Sequence, residues 1–300
     1  MTADKFHIQR LALLGVGLIG GSLARALRHA GVVDTIIGYG RHEHNLRRAE
    51  ALGVIDIYST SAATAVTGAD MVVLATPLST IAELLREIQP VIGEHATLTD
   101  VGSAKGSVVA AARTSLSPQQ LRCFVPGHPI AGTEKSGVEA SFAGLYQDHL
   151  TILTPVPGQD PEHLRRVSRM WEVAGARVVT MAIDHHDQIL AATSHLPHML
   201  AYALVDCLAG MQSKAEIFQY AAGGFADFTR IASSNPQMWA DICMANRANL
   251  LAVLDEFDKH MGVLKQAIAT GDSTALQAIF ARAKNSRDEF VRNKPENDRR

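Results

Sequence analysis

Residues Leu11 to Leu27 read LALLGVGLIGGSLARAL: four apolar residues, then Gly15, Gly17 and Gly20 in a G-x-G-x-x-G spacing, then a helical repeat that starts at once. Few strings of this length constrain a fold as tightly. The strand must end in a turn tight enough to need one glycine. A second glycine lets the backbone approach a pyrophosphate, and the third lets the new helix pack down on the strand. The free N–H groups of that helix then face the phosphates. An apolar strand precedes the glycines and a helix follows, so the stretch is expected to bind a dinucleotide. Leu18 and Ile19, between the second and third glycines, belong to the same candidate site. A glycine-rich turn with no ligand and a signal-peptide core are the alternatives. The latter fits poorly, since glycines at fixed spacing interrupt the apolar run and it leads into Arg25 and Arg28.

Thr35 to Tyr39 reads as the second strand, closing a β-α-β unit of the size the glycine pattern requires. An NAD enzyme usually carries Asp or Glu about 20 residues beyond the glycines, to hold the ribose 2′-hydroxyl. Here Gly40 occupies that place, followed by Arg41, His42, Arg47 and Arg48. An acid would repel a 2′-phosphate, whereas a glycine beside a guanidinium accommodates one. NADP is therefore favoured over NAD, with Gly40 and Arg41 as its selectors; the bland reading makes Arg41 a solvated loop charge.

Strand and helix signals then alternate. Met71 to Ala75 is a continuous apolar run, as expected of a strand buried on both faces. Thr76 and Pro77 follow as candidate cofactor contacts, and Ser79 is placed to cap a helix over about residues 80–89. Further strands are expected at Thr97–Thr99, Cys123–Val125, Thr151–Leu153 and Arg177–Thr180, with helices through Val108–Ala112 and over 161–174. This predicts a Rossmann-type doubly wound parallel sheet over residues 1–182, with the loops after Ala75, Asp100 and Val125 lining one crevice at the carboxyl ends of the strands.

From Asp184 onward only helix-period segments occur, so residues 183–300 are expected to form an all-helical domain for substrate binding and dimerisation. His186 to Ala209 is apolar almost all round and should be buried on more than one side. Asn235-Pro236 is a helix start, and apolar residues then repeat from Trp239 to Leu264. Ser273 should cap the last helix, and the polar KPENDRR end should fray. So much apolar helical surface suggests a homodimer.

With 28 basic against 30 acidic side chains the net charge is −2, which gives no reason to expect nucleic acid or an anionic membrane as partner. No apolar run reaches the about 18 residues of a membrane span. Cys123, Cys207 and Cys243 lie far apart without metal or disulfide spacing, which suits reduced thiols in the cores of a cytoplasmic protein.

Three histidine contexts stand out among thirteen. His128 lies in a Gly-His-Pro turn directly after a strand, where a loop enters the expected crevice; the alternative is a turn histidine with no role. His195 and His198 flank a helix start, and at least one should face the cleft. Asp184-His185-His186-Asp187 superficially suggests a metal site, but it lacks the usual ligand spacing and no metal is expected. His42, His44, His95, His163 and His260 read as surface residues. Ser103 could orient a histidine or cap a helix, and Lys105 could bind substrate or stay solvated. Arg230 sits among apolar residues after a glycine pair and wants a carboxylate, either Asp227 or an acidic substrate. One base, one cation and a nicotinamide suit oxidation of a hydroxylated carboxylic acid.

Taken together, GVGLIGGS, DVGSAKG, GHPIAGTEKSG, SHLPH and GGFADFTRIA with a following PQMW occur in this order in prephenate dehydrogenases, including arogenate and dual-specificity members. The chain resembles that family over residues 8 to about 265. The resemblance implies oxidative decarboxylation of prephenate or arogenate in tyrosine biosynthesis, with NADP or NAD. It implies His128 as acceptor of the substrate hydroxyl proton and Ser103 as the residue holding hydroxyl and histidine in register. Arg230 matches the substrate-carboxylate arginine, His198, Glu134 and His186 match positions that shape or gate the pocket, and Trp239 matches an aromatic near the substrate. Two departures bear on specificity. Ala226 replaces a basic residue of some relatives, leaving room for arogenate, while His198 is the choice associated with prephenate. Other dehydrogenases of the β-hydroxyacid or imine-reducing type, and a non-catalytic dinucleotide sensor, would share the first domain but leave His128 and the SHLPH pair without purpose.

Overall fold

Along β1 (Ile8–Leu14), Leu11 and Leu13 belong to one hydrophobic core while Ala12 and Leu14 belong to another. A strand whose alternate side chains are all buried must lie between two layers, and this one does. The computed structural model describes residues 6–293, so the terminal KPENDRR segment lies outside the described residues.

After β1 come α1 (Leu18–His29), β2 (Val33–Tyr39), α2 (Glu43–Ala51), β3 (Ile57–Ser59), α3 (Ala62–Val66), β4 (Met71–Leu74) and α4 (Ile81–Ile88). The chain continues through β5 (Thr97–Asp100), α5 (Lys105–Ser115), α6 (Pro118–Arg122) and β6 (Phe124–Val125). These six strands form one parallel sheet in the order β3-β2-β1-β4-β5-β6. That is the strand order of dinucleotide-binding sheets, with the switch point between β1 and β4.

The expectation of a single parallel sheet fails beyond β6. Pro126 breaks the strand, and β7 (Gly127–Pro129) pairs antiparallel with β8 (Leu150–Leu153). Beyond α7 (Pro161–Val173), β9 (Arg177–Thr180) adds parallel to β8, so the predicted strands at 151–153 and 177–180 belong to a second, three-stranded sheet. Trp171 of α7 and Tyr146 are fully buried and meet edge to face, with ring centroids 5.0 Å apart. His163, expected at the surface, is instead buried and hydrogen-bonded to Thr97 Oγ1 at 2.8 Å.

The helical part opens with α8 (Ile183–Leu190), a π-helical turn over Ala191–His195, and α9 (Leu196–Ala209). α10 (Lys214–Gln219), α11 (Gly223–Thr229) and α12 (Pro236–Ala245) follow, and Asn235 caps α12 by accepting from the Met238 N–H. The 186–209 stretch was expected to be buried on several sides, yet Ala201 alone is buried in α9. Its leucines and Met199 are half-buried in the single chain.

Residue contacts end one compact unit at Arg247 and begin a second at Ala248. The second unit consists of α13 (Arg247–Thr270) from Ala248 onward and α14 (Ser273–Asn293), with a turn at Gly271 (φ +67°). Asp272, rather than the expected Ser273, accepts the Ala275 N–H at the start of α14. Met261, Leu264, Ile268 and Phe280 line an apolar groove there. Among the described residues no helix is long and apolar enough to cross a membrane.

Candidate active site

Gly15 ends β1 with φ +107°, and a Cβ there would lie 2.4 Å from the Ala75 carbonyl oxygen. Only glycine permits loops after β1 and β4 to close this tightly. A Cβ on Gly17, by contrast, would meet nothing within 4 Å, and α1 starts behind it with no acidic residue in its first turn and no side-chain cap. An open backbone approach to uncapped helical N–H groups fits a pyrophosphate. Gly20 sits against the Gly15 carbonyl and Leu13, which brings helix and strand into contact. Leu18 is buried in the core, whereas Ile19, Thr76 and Gly40 are half-buried and Arg41 and Pro77 exposed. Arg47 and Arg48 pair with Glu43 and Glu139. Ser79 does not cap α4; its hydroxyl donates to Asp241 of α12 at 2.6 Å.

The chain following β7 runs back along α1. Tyr146 donates its hydroxyl to the Ile19 carbonyl at 2.5 Å, the Phe142 N–H donates to Ser22, and Arg25 donates to Ser141. The helix that starts behind Gly17 is thereby fastened to the segment that starts at His128.

His128 is 8% exposed on β7, and its Nδ1 lies 2.9 Å from Nε2 of His186, which has no exposed surface. His186 Nδ1 in turn lies 2.8 Å from Asp187 Oδ1. Burial, with the charges of His186, Lys105 and His195 adding to it, pushes the His128 pKa well below the usual histidine value. Burial alone would raise the Asp187 carboxyl. Hydrogen bonds from His186 and from the Lys105 and Gly106 N–H groups outweigh that effect and hold it below the usual carboxylate range. Beside this row Lys105 is fully buried. It pairs with Asp100 and donates to the Gly127 carbonyl at 2.7 Å, so neither a solvated nor a substrate-binding lysine describes it. Asp100 also accepts the Gly102 and Gly127 N–H groups, tying the loops after β5 and β6 together.

Ser103 is half-buried and does not cap α5, whose N-cap is Ala104 without a side-chain bond. Its backbone bonds the ring of His195, which is 1% exposed. Asn246 Nδ2 lies 3.2 Å from His195 Nδ1 and donates to the Asp187 carbonyl at 2.7 Å. His195 therefore braces the site from behind, and burial lowers its pKa to about 4. His198, half-buried, stacks on Trp239 with ring centroids 3.6 Å apart. The buried Trp239 Nε1 has no acceptor among the described residues. Arg230 pairs with Glu134, five residues past β7, and not with Asp227; its side chain is 64% exposed. Sequence reasoning missed Asp187 and Asn246. The only signal for Asp187 was its position beside His186, which a reading for metal ligands discards.

A glycine cradle at a sheet switch point, a buried histidine on β7 of the second sheet and an exposed guanidinium are what a nicotinamide-dependent dehydrogenase needs. Residues 23–180 match the family model for the prephenate dehydrogenase nucleotide-binding domain, and residues 183–282 match that for its dimerization domain. The chain is 37% identical over 281 residues to cyclohexadienyl dehydrogenase of Zymomonas mobilis, covering 93% of this chain and 95% of that one. It is 36% identical to prephenate dehydrogenase of Bacillus subtilis, covering 93% of this chain and 75% of the relative. The crystal structure of Aquifex aeolicus prephenate dehydrogenase in complex with hydroxyphenyl propionate and NAD+ superposes with a TM-score of 0.89 at 39% identity, covering 96% and 100% of the two chains. Synechocystis arogenate dehydrogenase gives 0.77 at 28% identity, covering 94% and 100%. This chain belongs to the prephenate dehydrogenase family, a family of oxidoreductases.

Proposed function

We propose that the protein oxidises and decarboxylates prephenate and arogenate in tyrosine biosynthesis, with His128 as the base. The burial of the His128 imidazole, held by His186 at 2.9 Å, is the observation that carries this reading. When bound, the nicotinamide supplies the acceptor for the hydride from C4 of the substrate ring. His128 takes the C4 hydroxyl proton as the carbonyl forms. The ring carboxylate then leaves as CO2, its bonding pair enters the ring, and the proton on His128 returns to the phenolate oxygen. A histidine that stays neutral in the resting enzyme suits the first step.

Ser103 holds the hydroxyl in register with His128, and Arg230 takes the side-chain carboxylate in exchange for Glu134. His198 and Trp239 form a flat wall for the ring, which leaves His186 supporting the base. Activity on both substrates accords with Ala226 on one side and His198 on the other, and with the cyclohexadienyl dehydrogenase relative. NADP is the preferred cofactor, held by Gly15, Gly17, Leu18, Ile19, Gly20, Thr76 and Pro77 and selected by Gly40 and Arg41. We divide the chain into a dinucleotide domain to residue 182 and a helical domain from 183. A second copy of the chain covers the apolar surface of α9 and of the second unit, where Ile268 is 67% and Phe280 59% exposed. We place the protein in the cytoplasm, where thiols stay reduced; Cys207 is exposed and not in a core as expected.

Purified protein with NADP or NAD and either substrate should reduce the nicotinamide, read by its absorbance. No turnover with either substrate overturns the assignment. A His128→Asn variant that binds cofactor yet keeps full turnover overturns the mechanism alone.

A further inference from the structure

The row Asp187–His186–His128 has a direction, and its chemistry fixes it. An ionised carboxylate only accepts hydrogen bonds, so the proton between Asp187 and His186 sits on His186 Nδ1. In a neutral His186 the other nitrogen, Nε2, is then an acceptor. The proton shared with His128 must therefore sit on His128 Nδ1, 2.9 Å away. His128 is left with a bare lone pair on Nε2. One carboxylate, two side chains removed, thus selects which nitrogen of the base is ready to take a proton.

Asp187 does a second thing with the same two oxygens. Oδ1 also accepts the Lys105 N–H and Oδ2 the Gly106 N–H, each at 2.8 Å, at the first turn of α5. Ser103 lies two residues before Lys105, and the Asp187 carbonyl is bonded to Asn246, which also contacts His195. A Cβ on Gly106 would come 2.9 Å from Asp187 Oδ2, so the carboxylate is seated against the backbone with no slack.

We propose that Asp187 is a positioning residue that sets the tautomer of His128 through His186 and holds the Ser103 loop in register with it. The proposal rests on the reading of His128 as the base. As positive charge develops on His128 during proton uptake, the Asp187 carboxylate compensates it through His186 without leaving its place on α5.

Asp187→Asn is the informative change. An amide whose oxygen keeps the Gly106 N–H turns its NH2 toward His186, giving up the Lys105 N–H bond that Oδ1 accepts in the native chain. His186 then carries its proton on Nε2 and donates to His128 Nδ1, which forces the His128 proton onto Nε2 and disables the base. Turnover should fall about 10²–10⁴-fold, as when the carboxylate of a catalytic triad is replaced by its amide, with the Kd for NADP changed less than threefold. The separate readout is ¹⁵N NMR of histidine-labelled protein at pH 7. Wild type should show His128 protonated on Nδ1, and the Asn variant should show it on Nε2. A wild-type His128 protonated on Nε2, or an Asn variant that keeps both the Nδ1 tautomer and the wild-type turnover, overturns the proposal. If the variant does not fold, the wild-type spectrum alone decides. Should wild type turn over neither substrate, the functional reading fails while the tautomer measurement still tests Asp187.

Discussion

Trp239 and His198 lie face to face, ring centroids 3.6 Å apart and planes tilted by 21°, although they come from different helices. Aromatic stacking of this kind contributes about 0.5–1.5 kcal/mol beyond the area buried. Losing a face of the binding wall should act on substrate binding before chemistry. His198→Ala is therefore expected to raise KM for prephenate severalfold, with kcat within about threefold of wild type. Steady-state kinetics at saturating cofactor separates the two.

Both His128 and His195 are buried as neutral rings with pKa values pushed down, His195 to about 4. An unfolded histidine takes up its proton near pH 6.5, and the folded ones do so only at lower pH. Between about pH 6.5 and 4 the unfolded chain thus binds more protons, and stability falls as pH falls, by about 1.4 kcal/mol per unit for each such histidine. The midpoint of urea unfolding should be flat from pH 8 to 7 and decline below 6.5. Activity, judged by kcat/KM, should hold to a pH below the ordinary histidine value, because the base stays unprotonated there.

Lys105 and Asp100 form a wholly buried ion pair. Removing one partner strands the other charge and costs about 3–5 kcal/mol. Lys105→Met should lower folding stability by that order in denaturant titration. The double change Lys105→Met with Asp100→Asn should recover a large share, since neither charge is then left alone.

A carboxylate placed after β2 repels a 2′-phosphate and can hold a 2′-hydroxyl. Gly40→Asp is expected to move cofactor preference from NADP toward NAD. Its Cβ approaches only the flexible Leu46 side chain, at 3.2 Å, so the fold should tolerate the change. Arg41→Ala should weaken NADP by about 10-fold or more with little effect on NAD, the loss of a charge-assisted contact. The ratio of kcat/KM values for the two cofactors reads both.

The parts of this fold that follow from local periodicity were legible beforehand: the strand–glycine–helix unit of β1 and α1, the buried runs of β2, β4 and β5, the Asn235 cap and the onset of helices after residue 182. The departure at β7 was not, because a three-residue strand carries no periodic signal and the antiparallel pairing of His128 with Ile152 spans a long loop. Charge misled for a related reason. Lys105, Asp187 and His163 look solvated from composition, and only the fold shows that each is enclosed with a specific partner. His128 and Arg230 were singled out through motif and local context, whereas the couplings His128–His186 and Glu134–Arg230 depend on contacts between distant segments.

The enclosure of Lys105 also makes it a built-in reporter. With no surface open to solvent, its amine is silent toward acylating reagents while the carboxyl ends of β5 and β6 hold together, and it is exposed to them only when that region opens. Slow acylation at this one position, followed by mass spectrometry, therefore clocks the opening of the sheet end beside His128.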